Sequence, residues 1–142
     1  MKERSVVTCF LLRSVEGGDE VLLLRRSDRV STYQGLWAGV SGYLEADSPL
    51  EQAYRELSEE VGLERDDVSL LAQAEPVVLA DDSLGIRWTV HLFLFRTERP
   101  EAVRLDWEHT DSRWVRPEEM AKMDTVPGLA DGFSRVYPAG MR

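Results

Sequence analysis

Apolar residues follow two rhythms along this chain, and the switches between them mark out its elements. Residues 5–13 (SVVTCFLLR) are β-branched or apolar almost without a break, which predicts a first strand. Gly17-Gly18-Asp19 predicts a turn, and residues 20–26 (EVLLLRR) a second strand paired with the first as a hairpin. A polar loop at 27–36 leads to short extended pieces at 37–40 and 42–45. The rhythm then becomes helical: Leu50, Ala53, Tyr54, Leu57 and Val61 recur at helical spacing and form one apolar stripe. Ser48 supplies an N-cap, Pro49 suits the first helical position, Glu51 completes a Ser-x-x-Glu capping box, and Gly62 is the stop.

Strand rhythm returns at 68–80, where Pro76 predicts an edge or a bulge. A turn at Asp81-Asp82-Ser83 precedes the strongest strand signal, residues 86–96 (IRWTVHLFLFR). Its alternation puts Trp88, Val90, Leu92 and Leu94 on one face and Thr89, His91, Phe93 and Phe95 on the other. Such continuous apolarity predicts burial on both faces, with His91 a sheet histidine. Residues 98–111 read as acidic and irregular, 112–116 as a short strand around Trp114, and Pro117 opens a short helix. A final helix carries Leu129, Phe133 and Val136. Strands on either side of one capped helix, with another helix at the end, predict an α+β sandwich: a mixed sheet covered by helices on its two faces. No repeat or linker divides the 142 residues, and 1–142 is expected to be one domain.

Charge narrows the classes of partner. Lys plus Arg number 17 and Asp plus Glu 26, a formal net charge of −9. That balance excludes non-specific binding to nucleic acid or to an anionic membrane, both of which need positive surface. Phosphate compounds remain accessible to an acidic protein if bound divalent cations reverse the local sign. Cys9 is the single cysteine, so no intramolecular disulfide forms and a reducing compartment fits. The apolar run after Met1-Lys2-Glu3-Arg4 ends at Arg13 without a cleavage site, so a first strand and a cytoplasmic location are expected rather than a leader.

The helix at 49–61 carries more carboxylate than its stability requires. At about 100° per residue, Glu56 and Glu60 stack on one border of the apolar stripe, while Glu59 lies further round toward solvent. Arg55 stands within i±4 reach of Glu51 and Glu59. Two carboxylates stacked four apart repel each other, and a hard divalent cation such as Mg2+ or Mn2+ removes that repulsion. A solvated face laced with ion pairs is the simpler reading of an isolated pair. The border position, the glycine turn before the helix and the two caps favour the metal.

These residues resemble the Nudix box, the signature of the Nudix hydrolases of MutT type. Arg55, Glu56, Leu57, Ser58, Glu59, Glu60, Val61, Gly62 and Leu63 match its second half, Arg-Glu-apolar-x-Glu-Glu-x-Gly-apolar, at every position. The first half departs twice. Asp47 stands where a glutamate is expected, and counted from Gly42 the turn is one residue short, unless Ser41 takes the glycine's place.

The resemblance implies an α/β/α sandwich and metal-dependent hydrolysis of a nucleoside diphosphate linked to another group, a pyrophosphohydrolase reaction. It implies Glu56, Glu60 and Glu59 as ligands of Mg2+ (or Mn2+). Glu56 or Glu59 would serve as base, and Arg55 would orient the carboxylates. Glu108, before the strand of Trp114, is a further candidate metal ligand or base on a loop. Arg25 and Arg26, ending the second strand, are candidates for substrate phosphates, because guanidinium forks match phosphate oxygens. Tyr33, Trp37, Trp88 and Phe93 are candidates for stacking on a base, with core packing the competing role of Trp37. The expected partner is a small nucleotide or other diphosphate, with no nucleic acid and no membrane; homodimerisation is common in the family. The alternative is a non-catalytic nucleotide-binding or regulatory module on the same fold. It is disfavoured because all three glutamates of the core motif are present.

Overall fold

The computed structural model describes residues 1–137. Seven strands form one mixed sheet: β1 (Lys2–Val15), β2 (Gly18–Arg26), β3 (Trp37–Ala38), β4 (Val40–Tyr43), β5 (Val68–Asp81), β6 (Ile86–Thr97) and β7 (His109–Val115). The main path runs β3-β2-β1-β6-β5, with β4 on β1 and β7 on β2. β1 and β6 pair in parallel, from Lys2 opposite Ile86 to Leu12 opposite Arg96, and the other pairings are antiparallel. Helix α1 (Pro49–Val61) covers one face and α2 (Leu129–Val136) the other.

Alternation along β1 divides its side chains between two cores. Val7, Cys9 and Leu11 pack with Ala53, Leu57 and Val61 of α1, joined by Phe93 and Phe95 of β6. Phe10 and Leu12 pack on the opposite face with Leu92, Leu94 and Leu129, Phe133 and Val136 of α2. The period-2 reading of β6 is therefore the one realised, although burial on both faces is confined to Leu92–Phe95, and Thr89, Val90 and His91 stay partly open. Cys9 is fully buried and its Sγ donates weakly to the Ala53 carbonyl, as a small core hydrophobe does.

Helix α1 begins and ends where its caps place it. The Glu51 N–H donates to Ser48 Oγ, and Gly62 takes φ 73° while its N–H returns to the Leu57 and Ser58 carbonyls. β5 is an edge strand with register shifts at 70–72 and 74–77, the second spanning Pro76. The expected boundaries need correcting at several points. β1 extends to both sides of 5–13. β7 starts at His109 rather than at 112, because 109–113 pairs with β2 out to Arg26. The turn opened by Pro117 is a 3-10 helix, Pro117–Lys122. No helix among the described residues is long and apolar enough to cross a membrane.

Candidate active site

Three segments meet along one face of α1. Strand β4 passes so close to the helix that a Cβ on Gly42 would overlap the Glu56 carboxyl group. One residue earlier, the Ser41 N–H donates to Glu60 Oε1 at 3.3 Å. The loop entering β7 brings Glu108 and His109 to the same place, with His109 Nε2 3.8 Å from Glu60 Oε1. Both Ser41 and Gly42 thus serve the carboxylates, and the shortened turn still delivers backbone to each of them.

Of the helix acids, Glu56 and Glu60 are buried and Glu59 is exposed, as the helical projection requires. Burial, with the nearby charges of Glu59 and Glu108, pushes the Glu56 carboxyl up to about 7. Glu60 is raised well above the ordinary carboxylate value by burial and then by Glu56 and Glu108. Glu108 is also raised, through burial and Asp106. His109 is held below its usual value by burial, and its Nδ1 lies 3.0 Å from Asp106 Oδ1.

No cationic side chain among the described residues hydrogen-bonds either buried glutamate. Arg55 is exposed and its side chain makes no hydrogen bond or ion pair among the described residues; Glu51, one of its expected partners, is held by Arg65 at 2.7 Å. The expectation that Arg55 orients the carboxylates finds no contact here. That work falls to Gln52, a residue the sequence reading passed over. Its Oε1 accepts from the Glu45 and Ala46 N–H groups at 2.9 and 2.8 Å, and its Nε2 donates to Glu56 Oε1 at 3.3 Å. The available signal was position: Gln52 lies four residues before Glu56, on the same helix face. Asp106 and His109 were also missed, although they flank Glu108 in sequence.

A cavity of about 440 Å3 opens beside these groups, on the sheet face that carries α2. Ser41, Gly42 and Glu108 lie at one end of it, Val6, Val90 and Leu92 of the sheet form its floor, and Leu129 and Gly132 of α2 close it. Arg26 lines it, as does the loop from Arg29 to Tyr33. Arg25 does not; its Nε donates to the Gly35 carbonyl instead. Trp37 does not either. It is 8% exposed, its backbone is pinned to Asp124 and Val126, and its ring lies in the α2-side core beneath Arg113. Phe93 belongs to the α1-side core. The aromatic residues that do line the cavity are Phe10, Tyr33, Tyr43, Trp88 and Trp107, the last exposed and against Arg29.

Among the described residues no three ligating side chains are already drawn together as a finished metal cluster. The donor chemistry nevertheless suits a hard cation. Two buried carboxylates face each other, each raised by burial and then by the other acids around it, and no cationic side chain among the described residues hydrogen-bonds them.

A family model described as the NUDIX domain matches residues 2–136. No curated protein matches the chain. Among solved structures, the MutT protein from Methanosarcina mazei Go1 is similar at 28% identity and a TM-score of 0.76, covering 94% of this chain and 92% of that one. An Ap4A hydrolase binary complex from C. elegans superposes with a TM-score of 0.77 at 20% identity, over 93% of each chain. The NUDIX domain of Shewanella oneidensis NrtR, complexed with ADP ribose, superposes with a TM-score of 0.69 at 18% identity, over 92% of this chain and 84% of that one. At those two identities the likeness is one of fold.

Proposed function

The chain belongs to the Nudix hydrolases, and from that premise we propose that it cleaves the diphosphate linkage of a nucleoside diphosphate joined to another moiety, using Mg2+ or Mn2+. One observation carries the reading: a buried carboxylate pair, Glu56 and Glu60, with no cationic hydrogen-bond partner among the described residues, held against Ser41 and Gly42, which line a cavity large enough for a small ligand. We read residues 1–142 as one catalytic unit.

Glu56 and Glu60 would hold the cation, with Glu59 and Glu108 completing its surroundings. When bound, it lowers the pKa of a water and neutralises charge on the diphosphate. The protein's own groups account for the rest. Gln52 and the Ser41 N–H fix the two carboxylates, so little reorganisation is needed when substrate arrives. Glu108, its proton affinity raised by burial, is suited to accept a proton from the attacking water, with exposed Glu59 as the second candidate. Arg26 lies near enough to Glu108 to act on its charge and lines the cavity, so it can meet a phosphate oxygen. The floor of Val6, Val90 and Leu92 accepts the apolar part of the attached group.

The test is product release from diadenosine tetraphosphate, ADP-ribose, a nucleoside triphosphate and a non-nucleotide diphosphate, with Mg2+ or Mn2+ and with EDTA. Cleavage of any member that EDTA abolishes is the expected result. Glu60→Gln should keep the fold and lower kcat/KM at least about a hundredfold, since even residues that only orient a metal ligand are worth about 10–100-fold. Silence from the wild type on every compound, or a wild-type rate in Glu60→Gln, overturns the proposal.

A further inference from the structure

Tyr33 is the one non-glycine residue with positive φ among the described residues, at 53°. A side chain enters that region only against steric resistance, so something must hold it there. Two hydrogen bonds do. The phenol donates to Asp81 Oδ2 at 2.6 Å, at the end of β5, and accepts from Trp88 Nε1 at 3.1 Å, on β6. Asp81 is anchored in turn, its other oxygen accepting from the Ser83 N–H and hydroxyl at 3.0 and 2.6 Å. Burial and the bond to Asp81 push the phenol up to about 12, so it keeps its proton and remains a donor.

The segment that Tyr33 tops, residues 27–36, is otherwise held by bonds to Arg26 and the Glu108 carbonyl and by Arg29 against the Trp107 ring. The Ser27 N–H donates to the Glu108 carbonyl, the Gly35 N–H to the Arg26 carbonyl, and Arg26 grips the Thr32 carbonyl and hydroxyl. Arg29 to Tyr33 form one wall of the cavity, and Val77 and Leu79 of β5 with Trp88 of β6 form another. The bonds from Tyr33 to Asp81 and Trp88 are what join the two walls. Trp88 also stacks on Tyr43, next to the glycine that receives Glu56, so the chain of contacts runs from the cavity's far wall to the carboxylates.

We propose that Tyr33 is a positioning residue: latched to Asp81 and Trp88, it fixes the 27–36 segment as a preformed wall that sets how tightly the substrate's attached group is held. This rests on reading the cavity as the substrate site. A preformed wall saves the ordering cost of binding, so losing the latch weakens ground-state and transition-state binding alike and appears in KM rather than kcat.

The experiment compares wild type, Tyr33→Phe, Asp81→Ala and the double variant. Tyr33→Phe keeps the ring and removes only the hydroxyl. One readout is kcat and KM on whichever of diadenosine tetraphosphate, ADP-ribose and a nucleoside triphosphate the wild type cleaves with Mg2+. The other is hydrogen–deuterium exchange of the 28–36 amides without ligand. Each single variant should raise KM about tenfold, the worth of one hydrogen bond to a charged group, with kcat within about threefold. Exchange in 28–36 should quicken in both, and the double variant should fall short of the sum of the two singles, because both cut the Tyr33–Asp81 bond. Unchanged KM, a fall in kcat alone, or additive effects would overturn the latch. A wild type that cleaves none of the compounds removes the hydrolase reading, and the latch is then judged on exchange, where unchanged protection in Tyr33→Phe overturns it.

Discussion

Gly42 and Gln52 act on the same carboxylate in different ways, one by close approach and one by a hydrogen bond, and their substitutions should therefore fail differently. A Cβ at Gly42 would occupy the position of the Glu56 carboxyl, which is the far end of a flexible side chain and can swing aside. Gly42→Ala should accordingly cost little stability, about 1 kcal/mol or less, while removing most activity because Glu56 no longer faces Glu60. Melting temperature and turnover measured side by side check this; a stable, fully active Gly42→Ala would mean Glu56 is not needed where it stands. Gln52 is buried and bonds two loop N–H groups as well as Glu56. Gln52→Ala removes all three bonds, and because the Glu45 and Ala46 N–H groups lie near the surface where water can replace the lost acceptor, the cost should be about 1 kcal/mol. Urea denaturation of the metal-free protein is the measurement, since it reports stability without the chemistry.

At the scale of elements, α1 was the most legible part of the chain because its signals are local. Gly62 shows how far such a signal can be trusted quantitatively. A Cβ there would meet only Arg104 Cβ at 3.8 Å, an ordinary contact, so Gly62→Ala suffers from backbone conformation alone, at φ 73°. The expected loss is about 1 kcal/mol, read as a lowered urea midpoint at constant slope; a loss several times larger would mean that the helix end carries tertiary packing the structure does not show. The stripe of Leu50, Ala53, Tyr54, Leu57 and Val61, the caps and the outward Glu59 likewise follow from spacing within the helix. Strand ends were less legible. The start of β7 at His109 depends on pairing with Arg26, some eighty residues earlier in the chain, and no local pattern in an acidic segment announces it. Trp37 shows the same limit from another side. Its residue type suits a core position or a stacking platform, core being the favoured role, and the long-range pinning to Asp124 and Val126 is what places it in the core.

Over the whole molecule, the parallel pairing of β1 with β6 separates two ends of the sheet: Trp88, near the start of β6, lies in the cavity, while Arg96, near its end, lies far from it. The cavity draws on segments as distant as Val6 and Gly132, which is why its lining could not be read from any window of sequence. The opposite end has its own convergence, on Asp19. One Asp19 oxygen accepts from Arg96 at 2.7 Å and the other from the Tyr137 hydroxyl at 2.9 Å, so the turn between β1 and β2, strand β6 and the segment after α2 are tied at one carboxylate whose side chain is 10% exposed. Burial by itself raises the Asp19 pKa, but the bonds from Arg96 and Tyr137, with the charge of Arg116, outweigh it and hold the carboxyl below its usual value. A folded-state pKa below the unfolded one means stability that is fully present above the unfolded value, about pH 4, and lost as the pH falls through the folded one. Asp19→Asn should therefore lower stability by about 2 kcal/mol near pH 7. The gap between wild type and variant should narrow as the pH falls from about 5 toward 3, where the wild-type carboxyl takes up its proton. Taking the difference between the two proteins cancels the titration of the other acids, including the Glu56–Glu60 pair, so urea denaturation at several pH values isolates Asp19. A gap that stayed constant over that range would mean the clamp acts through shape and neutral hydrogen bonding, with the Asp19 charge contributing nothing.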